Sequence, residues 1–160
     1  MAPGGHVARP PKGGGKRRGA GGARPRRGLA AGSQEVSVVG IGIDVVDVGR
    51  MARAVERGGG RFRRRVFSER ENAWARGKPD AARRYALCFA AKEAVFKALG
   101  TGWPRGGKLT EVELFYKDGS PALEITGVTR DILDGRRVAS IEVTTSGDRR
   151  LAVCLVLLSR

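Results

Sequence analysis

Residues 36–48 alternate. Val39, Ile41, Ile43 and Val45 fall on one side, and Gly40, Gly42 and Asp44 on the other. That period of two predicts a strand. The pattern then becomes helical over residues 46–57, closed by Gly58-Gly59-Gly60, with Arg50, Ala54 and Arg57 on one face and Arg53 beside them. Ser68 and Glu71 have capping-box spacing and predict a short helix to about Arg76, broken by Gly77-Lys78-Pro79. Asp80 is the expected N-cap of a long helix that ends at Gly100. On it, Ala82, Ala86, Phe89 and Phe96 form a stripe expected to face the core, with Glu93 in its middle.

A Pro/Gly turn follows from Trp103 to Gly107. Strands are predicted over residues 111–116 and 122–126 about the turn at 117–121, then a short helix over 128–134. Two last strands, 138–144 and 151–158, are joined by Ser146-Gly147-Asp148. Helices that interrupt a mostly antiparallel set of strands make an α+β fold: an antiparallel sheet with one long helix.

The net charge of +15 is uneven: residues 1–33 carry eight Lys and Arg, no Asp or Glu, ten Gly and four Pro. Such a segment cannot bury enough surface to fold, so the organisation expected is a disordered basic tail (1–33), or a misread start, before one domain (34–160). The rest carries 23 basic and 16 acidic groups, a moderate +7. Clustered Arg and Lys suit a nucleic-acid backbone, but the tail has no aromatic to stack on bases, which argues against nucleic acid as the partner. Two cysteines, Cys88 and Cys154, and a single histidine, His6, complete neither a disulfide framework nor a zinc site. With no apolar run of membrane-spanning length and no signal peptide, the expected location is the cytoplasm.

The candidate chemistry centres on Glu93. A carboxylate on the apolar side of a helix needs a cation or a donor. Lys97, at i+4, would make it a local ion pair; a metal ion would make it a ligand and leave Lys97 and the Gly100-Thr101-Gly102 turn free to hold phosphate. Asp44 reads either as a strand-end turn residue or as a carboxylate beside two glycines that admit a ligand or another backbone. The basic stripe is a solvated surface or a docking face for an acidic helix.

The strand Gly40-Ile41-Gly42-Ile43-Asp44, the Arg50/Arg57 helix, the segment from Phe62 to Glu71, and Phe89-Ala90-Ala91-Lys92-Glu93-Ala94 followed by Lys97-Ala98-Leu99-Gly100-Thr101-Gly102 stand in one order. Together they resemble the holo-[acyl-carrier-protein] synthase family of 4′-phosphopantetheinyl transferases. The resemblance implies a homotrimer and a transfer of phosphopantetheine from coenzyme A to a serine of an acyl carrier protein, with release of 3′,5′-ADP. It further implies that Asp44 and Glu93 are the catalytic pair and the Mg²⁺ ligands. Lys97, Gly100, Thr101 and Gly102 would lie against coenzyme A, and Arg50, Arg53 and Arg57 against the carrier protein.

The sequence departs from that family where it usually has a serine and a histidine on the penultimate strand: Glu142 and Thr145 stand there. Cys88 stands where an arginine is usual, and Gly119-Ser120-Pro121 replaces a Gly-Lys-Pro. A carboxylate at Glu142 would repel phosphate unless it faces away or joins the metal. The alternative reading is a divergent member that binds a carrier protein with lost or altered transfer.

Overall fold

The computed structural model describes residues 37–160. The basic segment read at residues 1–33 lies outside the described residues. Strand β1 (Val38–Asp47) forms the edge of a three-stranded antiparallel sheet in the order β1-β5-β4, with β4 at Ser140–Gly147 and β5 at Leu151–Ser159. The long helix α3 (Ala81–Leu99) crosses this sheet. A Cβ at Gly40 would lie 2.0 Å from the Ala98 carbonyl oxygen, and one at Gly42 1.9 Å from that of Ala94. The glycines therefore admit another backbone: they let α3 sit directly on β1. The inner row of β5 (Ala152, Cys154, Val156 and Leu158) is fully buried behind the same helix.

The alternation of β1 was legible, but its apolar side faces out. Ile41, Ile43 and Val45 pair in register with Leu157, Leu155 and Val153 of β5 on the side of the sheet away from α3. Ile41 is 61% exposed and Ile43 52%.

Asp47 caps helix α1 (Val48–Val66), its Oδ1 accepting from the Arg50 amide at 2.6 Å. The glycine run breaks this helix where the sequence placed the end of its first segment. Only Gly59 leaves helical geometry, at φ 53° and ψ −145°, and the chain resumes a second helical half through Val66. Glycine alone adopts that backbone readily, which is why the first helical segment stops there.

Helix α2 (Glu69–Ala75) has the predicted capping box, with Ser68 Oγ accepting from the Glu71 amide and Glu71 Oε2 from the Ser68 amide. Glu71 does more than cap. It is fully buried, and Lys92 Nζ of α3 donates to both its oxygens at 2.9 and 2.7 Å. The Leu114 amide adds 3.0 Å to Oε1, and Lys92 also donates to the Val112 carbonyl. One ion pair thus joins α2, α3 and strand β2 (Val112–Lys117). Burial on this scale is tolerable only because each polar atom has a partner.

Asp80 stands at the N-cap position of α3 without a capping hydrogen bond; its carboxylate instead meets Arg83 Nη2 and Arg84 Nε, each at 2.7 Å. The predicted stripe on α3 also needs correction. Ala86 and Phe96 are buried but Ala82 and Phe89 only partly, because Tyr85, Cys88, Ala91, Lys92, Val95 and Leu99 are buried as well. Most of the helix is enclosed, and Glu93 sits half-buried at its rim. At the far end Gly100 adopts φ 64°, the left-handed C-terminal cap expected of it.

Strands β2 and β3 (Ser120–Ile125) form a separate two-stranded sheet closed by Asp118 and Gly119, both at positive φ, as a two-residue hairpin requires. Helix α4 (Gly127–Gly135) follows. The architecture is α+β as read, with two antiparallel sheets where one was expected.

Candidate active site

The helix-facing row of β1 runs Gly40, Gly42, Asp44. Because the first two positions carry no side chain, the third projects from a strand held tight against α3. Asp44 and Glu93 consequently line one cleft of about 580 Å³, together with Asp47, Arg50 and Met51 of the β1–α1 junction and Phe62 and Phe89. The sequence offered no signal for Asp47, Met51 and Phe62 as cleft residues, and it placed Phe89 in the core. Phe62 reaches the cleft only because α1 resumes past Gly59.

Lys97 does not pair with Glu93. Its Nζ donates to Asp44 Oδ1 at 2.7 Å and to the Ile43 carbonyl at 3.0 Å. Burial pushes the Glu93 carboxyl above the usual glutamate range; the nearby Asp44 charge adds to this, and Lys97 offsets part of it. Three carboxylates, Asp44, Asp47 and Glu93, therefore line the cleft with one guanidinium, Arg50, while the Lys97 ammonium bonds Asp44 from beside it. That arrangement has room for one more positive charge.

Among the described residues no group of three or more His, Cys, Asp or Glu could hold a metal alone. Both candidate ligands are carboxylates. The thiol nearest in sequence space to such a role, Cys154, is pushed up to about 12, first by burial and then by the Asp44 charge. Burial raises Cys88 too. Both thiols are protonated and inert. Oxygen donors from two carboxylates, completed by phosphate oxygens and water, suit a hard divalent cation such as Mg²⁺.

The remaining candidates flank this centre. Gly100, Thr101 and Gly102 are exposed past the end of α3, Gly102 at φ 62° and the Thr101 hydroxyl donating to the Gly102 carbonyl at 3.0 Å. Arg50, Arg53 and Arg57 are all exposed on the first half of α1, but of the three only Arg50 lines the cleft. A larger hollow of about 670 Å³, with Arg63, Arg64 and Arg76 around it, contains neither carboxylate.

Glu142 pairs with Leu157 on the outer side of the sheet, so within one chain it faces away from Asp44 and Glu93. Thr145 turns inward and shares a 2.9 Å hydrogen bond with the Tyr116 hydroxyl. Neither substitution puts a negative charge into the cleft.

Residues 40–154 match the profile of the 4′-phosphopantetheinyl transferase superfamily. The chain is 39% identical over 126 residues to the holo-[acyl-carrier-protein] synthase of Jannaschia sp. (strain CCS1), covering 76% of this chain and 84% of that one. Against the enzyme of the same name from Solibacter usitatus (strain Ellin6076) it is 34% identical over 122 residues, covering 76% and 98%. The crystal structure of a holo-(acyl-carrier-protein) synthase from Bacillus anthracis in complex with CoA (3′,5′-ADP) superposes with a TM-score of 0.63 at 28% identity, over 76% of this chain and 96% of that one. With a cleft that joins Asp44 and Glu93 to Arg50, and with Lys97 bonded to Asp44, on a fold and a sequence shared with these proteins, the chain belongs to the 4′-phosphopantetheinyl transferase superfamily.

Proposed function

We propose that the chain is a holo-[acyl-carrier-protein] synthase: it moves the 4′-phosphopantetheine arm of coenzyme A to a serine hydroxyl of an acyl carrier protein in the cytoplasm, with Mg²⁺ required. The observation that carries this is the meeting of Asp44 and Glu93 in one cleft beside Arg50. The serine oxygen forms a bond to the phosphorus that bears the pantetheine arm. The bond from that phosphorus to the bridging oxygen breaks, and 3′,5′-ADP leaves. Glu93, on the rim of the cleft, accepts the serine proton. Lys97 turns its ammonium to the pyrophosphate, supported by the Gly100–Gly102 turn.

Asp44 and Glu93 would hold the Mg²⁺, which when bound offsets the negative charge that grows on the phosphoryl oxygens. Glu142, facing the other way, supports transfer over the alternative of a binding-only relative.

The carrier protein docks on Arg50, Arg53 and Arg57, whose exposed guanidinium groups suit an acidic surface. The assembly is a homotrimer. Its support is the outer sheet face, where Val38, Ile41, Ile43, Val45, Leu151 and Leu155 are all exposed, a contiguous apolar group of the kind that marks an interface. Light scattering of the chain from residue 34 giving a trimer mass is the expected result; a monomer mass overturns the assembly.

The function is tested by mass spectrometry of an apo carrier protein incubated with the chain and coenzyme A. One added phosphopantetheine with Mg²⁺ present, and none in EDTA, is the expected outcome. An unchanged carrier mass in both overturns the reading.

A further inference from the structure

The exposed large apolar side chains of the described residues fall into two groups. Six lie on β1 and β5; the seventh is Trp103, 50% exposed, alone in the loop that follows α3. Its neighbour Pro104 is buried, as is Leu109 where the loop ends. This inverts the usual preference, by which a tryptophan is mostly covered and a proline is left at the surface.

The loop is also built to hold the indole where it is. Pro104 to Gly107 is a tight turn closed by the Gly107 amide on the Pro104 carbonyl at 3.1 Å, with Gly106 at φ 79° in its third position. The Trp103 Nε1–H donates to the Gly107 carbonyl at 2.8 Å. The only polar atom of the ring is thus satisfied inside its own loop, and what remains is a flat apolar face pinned at the surface. Arg105 and Lys108 are exposed on the same loop.

We infer that Trp103 is the stacking platform for a purine base. This rests on the reading of coenzyme A as the donor substrate, and names the residue that recognises its nucleotide end. The sequence position fits: Trp103 directly follows the Gly100-Thr101-Gly102 turn, so a ligand whose pyrophosphate meets Lys97 and that turn presents its adenosine to the next part of the loop. Exposed Arg105 and Lys108 supply cations for the phosphate on the ribose. An indole face binds any base through its π surface, and losing such a contact costs roughly tenfold or more in affinity. Trp103 acts on binding of the donor and does not touch the reacting atoms.

The chain has two tryptophans. The other, Trp74, is packed against Tyr116 at 5.1 Å and under the Arg84 guanidinium at 4.7 Å. Indole emission therefore reports Trp103 once Trp103→Leu and Trp103→Phe are compared with the parent chain. Each is titrated with coenzyme A, 3′,5′-ADP and 4′-phosphopantetheine, by fluorescence and by calorimetry, after melting curves establish that all three chains fold alike.

The expected result is quenching by 3′,5′-ADP in the parent that Trp103→Leu abolishes. In that variant, Kd and KM for coenzyme A rise about tenfold with kcat at saturation unchanged, Trp103→Phe restores most of the loss, and 4′-phosphopantetheine binds all three equally. Equal coenzyme A and 3′,5′-ADP affinity in the parent and Trp103→Leu overturns the inference alone. Quenching by the carrier protein but not by 3′,5′-ADP does the same. A parent chain that binds neither nucleotide overturns it together with the proposed function.

Discussion

The Lys97 ammonium bonds Asp44 across the helix–strand contact, 2.7 Å from its Oδ1, and not Glu93 one turn earlier on its own helix. Glu93 is left half-buried with a second carboxylate nearby, and its proton affinity rises, chiefly from burial and then from Asp44. A carboxylate held above its unfolded value favours the fold while it is protonated and loses that contribution as pH climbs through the folded value. Metal-free protein should therefore lose stability as pH rises above the ordinary glutamate range, and Glu93→Gln should remove that part of the slope. Melting curves in EDTA without coenzyme A check this. Glu93→Gln should melt at or above the parent, yet transfer at least about a hundredfold more slowly. A melting point many degrees lower would make Glu93 a structural residue.

Lys92, the neighbour of Glu93, should behave in the opposite way. Its pair with Glu71 is fully buried and satisfied at each end. Removing one partner strands the other charge, so Lys92→Met should cost about 3–5 kcal/mol in urea unfolding. An effect under about 1 kcal/mol would show that water reaches the pair.

Gly42→Ala tests the contact that brings the two carboxylates together. The added methyl would lie 1.9 Å from a backbone carbonyl oxygen, which cannot rotate away as a side chain would. Moving α3 off β1 should cost at least about 1–3 kcal/mol and separate Asp44 from Glu93, so activity should fall further than stability alone explains. Mg²⁺ affinity measured on protein that is still folded would report that separation directly.

Arg53→Glu with Arg57→Glu, at the two arginines of the stripe outside the cleft, should weaken carrier-protein binding and leave coenzyme A affinity close to that of the parent chain. Surface charges act on encounter and on an interface rim, so the defect should shrink as salt is raised. Calorimetry with each ligand at two salt concentrations decides the matter. Equal losses for both ligands would place the stripe in the nucleotide site.

Features written by neighbouring residues were legible in the sequence. The Ser68/Glu71 box, the Asp118-Gly119 hairpin and the Gly100 cap each follow from local backbone chemistry, and they fixed the α+β class. What needs a partner far along the chain was not. Glu71 meets Lys92 across 21 positions, so its spacing with Ser68 disclosed the cap and concealed the ion pair. Alternation in β1 defined two faces without saying that α3 would take the glycine side and leave Ile41, Ile43 and Val45 in the open. The same limit applies at Asp80, which has a capping residue's identity but spends its carboxylate on Arg83 and Arg84. At the site, the Asp44–Glu93 meeting was expected from family resemblance; the part of the cleft wall made by Phe62 depends on a second helical segment that begins past the glycines and had no local signal.

That break has a steric consequence. The chain turns at Gly59, φ 53°, so two helical segments stand where one straight rod would. The first bears Arg50, Arg53 and Arg57 on its exposed side and is seated by buried Val48 and Met51; the second is seated by buried Val66, with Phe62 against the core. A partner that engages the arginines therefore presses on a segment whose underside, Met51, walls the cleft that holds Glu93. Docking and chemistry share that wall.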